Sequence, residues 1–161
     1  MRFPGAGVSS SAAFELLIGQ IFNELFNDGK IDKITLAKAG QYSENNYYGK
    51  ASGLLDQIGV AFGNVVQIDF EDINNPKVEP IEFPFDDLTF VGVNTGGDHS
   101  SMNALYSKIP VDMKSAAKKM GVEFLRESTL EKLEETKGLT EVEHDRSYHF
   151  YKENERVLNA I

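Results

Sequence analysis

The stretch Gly5-Ala6-Gly7-Val8-Ser9-Ser10-Ser11-Ala12-Ala13 combines residue types that together handle oxyanions. Glycines let a backbone approach a charged oxygen closely, and the first turn of a helix leaves N–H groups without internal partners. With the helix dipole behind them, such groups make a phosphate cradle. The serine hydroxyls add hydrogen bonds and can ligate a magnesium ion. Gly/Ser runs are ordinarily linkers, but this one leads straight into an apolar repeat, which a linker does not. No Gly-x-x-x-x-Gly-Lys-Ser/Thr loop occurs anywhere in the sequence. Two carboxylates stand out further along. Glu44 falls late in a predicted helix, on a face with Ala37, Gly40 and Tyr48, where small or polar neighbours let something else come close. Asp56 falls in the first turn of a short helix after Gly53, where the helix N-terminus favours an anion. Singly, each is an ordinary helical acid. His99, His144 and His149 have no metal-ligand spacing with one another.

These residues need elements to hold them. Phe14, Leu17, Ile18, Ile21, Phe22 and Leu25 recur at helical spacing, and Gly29 supplies a left-handed stop. Asp32 caps a second helix running to about Tyr48 and closed by Gly49, and Leu54–Phe62 reads as a third, stopped by Gly63. The period then changes. Val65, Val66, Ile68 and Phe70 suggest a strand, Asn74-Asn75-Pro76 a turn, and Val78–Phe85 an edge strand confined there by Pro80 and Pro84. Leu88–Val93 reads as a third strand, ending at Asn94-Thr95-Gly96-Gly97-Asp98. Pro110 suits a first helical position, with Met113, Ala116, Ala117 and Met120 on one face and Gly121 at the end. Ser128 with Glu131, and Thr140 with Glu143, are capping-box patterns opening two more helices. The predicted class is α+β, with helices packed on a small, mostly antiparallel sheet.

The 161 residues suffice for a real core, and 41% hydrophobic with 25% charged content is that of a globular protein. A net charge of -9 argues against nucleic-acid and anionic-membrane partners, which call for basic patches. The absence of cysteine excludes disulfide and thiol chemistry. No apolar run is long enough to span a bilayer and no signal peptide stands out, so the expected location is cytoplasmic. The acidic stretch from Glu123 to Glu143 is expected to be a solvated helical surface.

Taken together, Gly5–Glu15, Ser43-Glu44-Asn45, Gly49 and Gly53-Leu54-Leu55-Asp56-Gln57 closely resemble the galactokinases of the GHMP kinase superfamily. The likeness continues through Asn94-Thr95, Tyr106 and the helix around Glu153-Asn154-Glu155-Arg156-Val157. The glycine-serine loop marks only the superfamily, whereas Gly-Leu-Leu-Asp-Gln behind Glu44 points towards galactokinase. The resemblance implies ATP and Mg2+ as cofactors, with Gly5, Ala6, Gly7, Val8, Ser9, Ser10 and Ser11 at the ATP phosphates and Ser11 and Glu44 on the magnesium. It implies Asp56 as the catalytic carboxylate for the galactose C1 hydroxyl, with Gly53 and Tyr106 touching the sugar. It also implies that residues 1–86 form the latter part of the N-terminal, ATP-binding domain. Residues 87–161 would begin the mostly helical C-terminal domain.

The family's arginine-bearing sugar motif and its late glycine-rich run have no counterpart in these residues. The expectation is therefore a truncated galactokinase with little or no activity alone, prone to self-association through uncovered apolar surface. The alternatives are a non-catalytic nucleotide- or sugar-binding module on the same scaffold, or a sibling kinase for another sugar such as N-acetylgalactosamine.

Overall fold

The computed structural model describes residues 8–50, 52–83, 85, 87–89, 91–93 and 103–161. The loop residues Gly5, Ala6 and Gly7, the Asn94–Asp98 turn and His99 lie outside them. Contacts group the chain into two compact units, Met1–Met102 and Asn103–Ile161. The domain boundary expected between 86 and 87 falls within the first. Among the described residues, no helix is long and apolar enough to cross a membrane.

The first unit contains α1 (Ser10–Asn27), α2 (Lys33–Asn46), α3 (Leu55–Phe62), β1 (Val65–Asp69) and β2 (Lys77–Ile81). Asp32 caps α2 as expected, its carboxylate accepting from the Thr35 N–H at 2.9 Å. Asp28 and Gly29 end α1 in the left-handed region, with φ of 51° and 67°. Asn23 then braces the connection to α2. Its side chain accepts from the Ile31 N–H and donates to the Ile31 carbonyl, each at 3.0 Å. The three helices pack on one another, and α3 also touches β1. Ala37, Leu54 and Ile58 form the core, with Ile34, Phe62, Ile68, Phe70 and Val78 packed against it. The strands are antiparallel, Val65 facing Ile81 and Asp69 facing Lys77.

The second unit contains α4 (Asn103–Met120), a 3-10 turn at Leu125–Glu127, α5 (Leu130–Glu135) and α6 (Glu141–Asn159). Its core is Ala116, Ala117, Met120, Leu125 and Leu133. The Thr140–Glu143 capping box is complete.

The α+β class holds, and several local expectations need correction. Leu88, Thr89 and Val91–Val93 are not in a strand, so the sheet has two strands among the described residues. Strand preference needs a neighbouring ladder to become a strand, and none pairs there among the described residues. β2 stops at Ile81 rather than continuing to Phe85. Pro110 lies inside α4, which begins seven residues earlier at Asn103, and not at its first position. The cap of α5 is Thr129, whose hydroxyl accepts from the Lys132 N–H, one residue after the expected Ser128. The acidic stretch is largely exposed, but Glu143 is buried. The apolar stripe read on α1 is helical, yet it faces outward. Phe14, Leu17, Phe22, Leu25 and Phe26 are exposed while Ala12, Leu16 and Asn23 are buried.

Candidate functional site

Ser11 sits in the first turn of α1 and Glu44 in the last turn of α2. Gly40 lets those helices meet closely: a β-carbon there would lie 2.8 Å from Leu16 Cδ2 and 3.3 Å from Gln57 Cγ. The small face read around Glu44 therefore admits neighbouring helices. At the open end of this contact, Ser11 Oγ donates to Glu44 Oε1 at 2.6 Å. Glu44 itself is 2% exposed.

The turn after α2 adds a charge. Gly49, at φ 62°, reverses the chain so that the Lys50 N–H donates to the Glu44 carbonyl at 3.0 Å. Asn45 Oδ1 accepts from the Ser52 N–H at 2.8 Å, and Gln41 donates to the Ser52 carbonyl at 3.2 Å, holding the turn against α2. Lys50 Nζ then rests 2.7 Å from Glu44 Oε1 and 3.3 Å from Ser11 Oγ. From α3, Gln57 Nε2 donates to Glu44 Oε2 at 3.2 Å.

Burial opposes the ionisation of Glu44, but hydrogen bonds from Lys50 and Ser11 outweigh it and hold the carboxyl below its usual value. Glu15 behaves in the opposite way. Burial, and then the charge of Glu44, push it up, with Lys50 partly offsetting them. Its Oε2 is buried without a hydrogen-bond partner among the described residues, as is Gln57 Oε1. An open cleft of about 620 Å³ lies here, lined by Ser11, Glu15, Gly40, Glu44, Tyr48 and Lys50 among others.

The donor set suits a small hard cation. Ser11 Oγ and Glu44 Oε1 are adjacent oxygens, and an ammonium group already lies against both. A hydroxyl and a carboxylate oxygen are ligand types that Mg2+ takes, one or two from protein beside waters and phosphate oxygens.

Of the residues expected from sequence, Ser11 and Glu44 are brought together. Val8 and Ser9 lead into α1, which Ser10 opens, Ser9 being left-handed at φ 56°. Asp56 is in the first turn of α3, as expected, and is exposed, next to the buried Gln57. Gly53 is exposed with open space around it among the described residues. Tyr106 belongs to the second unit, near the start of α4.

Sequence reading assigned no role to Lys50, Glu15 or Gln57. Lys50 could have been found from Gly49, since a left-handed reversal returns the next side chain towards the helix end. Glu15 is one helical turn from Ser11 and thus on the same side of α1.

Comparison with known proteins shows what the sequence is similar to. Residues 2–64 match the family described as GHMP kinases N terminal domain. The galactokinase of Clostridium tetani (strain Massachusetts / E88) is 33% identical over 162 aligned residues, covering 97% of this chain and 41% of that protein. The Lactobacillus helveticus galactokinase is 32% identical, covering 97% and 42%. The galactokinase of Lactococcus lactis subsp. lactis (strain IL1403) is 34% identical over 115 residues, covering 71% and 29%. The chain thus spans about two fifths of the length of the first two relatives. The family match covers α1 to α3 and the galactokinase likeness runs through both units, so the chain is similar to a segment of a galactokinase of the GHMP kinases.

Proposed function

We propose that this chain carries nucleotide-handling and catalytic elements of a kinase that transfers a phosphoryl group from ATP to the galactose C1 hydroxyl. The observation that carries this reading is the meeting of Ser11 and Glu44 at 2.6 Å, at the N-terminus of a helix preceded by a glycine-serine loop. Residues 5–11 donate backbone N–H groups and hydroxyls to the ATP phosphates. Ser11 and Glu44 hold Mg2+, which when bound neutralises charge on the phosphate oxygens. Asp56, exposed at the start of α3, accepts or orients the proton of the sugar hydroxyl, while Gly53 contacts the sugar. Phosphoryl transfer draws most of its rate from such positioning and charge stabilisation. On this reading residues 1–86 belong to the ATP-binding domain and residues 87–161 to the C-terminal domain, and the protein works in the cytoplasm.

Calorimetry with Mg–ATP tests this reading. Binding is expected in the wild type and in Asp56→Asn, and weakened in Ser11→Ala and Glu44→Gln. Equal binding by Glu44→Gln, or none by the wild type, refutes the site.

A further inference from the structure

We propose that Lys50 is a built-in counter-cation, which occupies the metal position between Ser11 and Glu44 and must be displaced for a divalent ion to bind. This rests on the reading of Ser11 and Glu44 as metal ligands. The Lys50 ammonium contacts the two oxygens assigned to the cation, Glu44 Oε1 at 2.7 Å and Ser11 Oγ at 3.3 Å. Two cations cannot share Glu44 Oε1 at such distances without strong repulsion.

The two partners differ in how freely they can move. The Glu44 side chain is 3% exposed and fixed from the other side by Gln57, whereas that of Lys50 is 45% exposed on a long flexible stem. Lys50 is therefore the partner that swings away. Its backbone stays in place, because the Lys50 N–H remains bonded to the Glu44 carbonyl and Ser52 to Asn45. The exchange also has a physical purpose. A buried carboxylate left without a counter-charge is costly, and Glu15 nearby adds a second acid to the same cleft. Lys50 supplies the compensating charge while no metal is bound, keeping Ser11 and Glu44 joined and ready.

Manganese alone, with no nucleotide, is the probe. In titrations of the full chain, Lys50→Met is expected to bind Mn2+ about tenfold more tightly than the wild type, the scale of one partly screened charge contact. Glu44→Gln is expected to abolish that binding in both backgrounds. In the wild type, Mn2+ is also expected to increase reductive methylation of Lys50, read by peptide mass spectrometry. Glu44→Gln should leave Lys50 reactive with or without Mn2+. The labelling measurement keeps the proposal testable if Lys50→Met does not fold.

Mn2+ binding that is unaffected by Glu44→Gln, or undetectable in every variant, refutes the metal site and the exchange with it. Binding that depends on Glu44, but is unchanged or weaker in Lys50→Met and leaves Lys50 labelling unaltered, overturns the exchange alone.

Discussion

Glu143 illustrates how one side chain can tie a helix start to its neighbour. Its carboxylate accepts from Lys119 Nζ at 2.6 Å, from Ser115 Oγ at 2.6 Å and from the Thr140 N–H at 2.7 Å. Those bonds, that of Lys119 first, lower its pKa from 4.5 to about 2. A folded-state value below the unfolded one means the unfolded chain takes up the proton first. The stabilisation is therefore complete above the unfolded value and drains away as pH falls towards about 2. Glu143→Gln is expected to lower the thermal midpoint at neutral pH, with the gap to wild type closing as pH approaches 2. A gap that stays constant over that range would show that ionisation of Glu143 contributes nothing. The Thr-x-x-Glu half of this arrangement was legible, because capping acts over three residues. Lys119 was not, because it lies 24 residues away and only the packing of α4 on α6 brings it near. The functional site follows the same division. Ser11 and Glu44 could be singled out as residue types, while the cation between them depends on the reversal at Gly49.

At the scale of elements, helices were readable where their period was strong, but period alone did not say which side packs. α1 carries two stripes. The large one invited the inference of a core, whereas Ala12, Leu16, Gly19 and Asn23, also at helical spacing, form the side that meets α2. Gly40 on α2 leaves room for Leu16 and so allows the close approach of the two helices. Two glycine substitutions separate this role from simple helix propensity. Gly59, in the middle of α3, has nothing within 4 Å of an added β-carbon among the described residues. Gly59→Ala is expected to stabilise the protein by up to about 1 kcal/mol. Gly40→Ala gains the same propensity but drives a β-carbon to 2.8 Å from the buried Leu16. Overpacking of about 1–3 kcal/mol should at least cancel the gain and push α1 away from α2. Urea unfolding of the two variants measures the contrast. Equal stabilisation of both would mean the helix contact is loose enough to absorb a methyl group.

The whole molecule is dominated by the outward stripe of α1. Phe14, Leu25 and Phe26 are 67%, 71% and 75% exposed, and Phe22 stacks on Phe26 with ring centroids 5.5 Å apart. A contiguous row of this kind on a surface marks a place where something docks, and a second copy of the chain is the partner present in any solution of it. We expect concentration-dependent association by sedimentation velocity, together with binding of an apolar dye. Net charge decides how that association responds to salt. At -9 the copies repel one another, so a contact driven by apolar burial should strengthen as ionic strength rises and the repulsion is screened. A contact made by ion pairs would weaken instead. Phe22→Glu with Phe26→Glu places two more negative charges on the stripe and removes its stacked rings. That variant should sediment as a monomer at every salt concentration, with α1 still folded because its packed side is untouched. A wild-type chain that is already monomeric and binds no dye would mean these exposed rings are not an adhesive surface. Association that survives the double substitution would place the contact on another face.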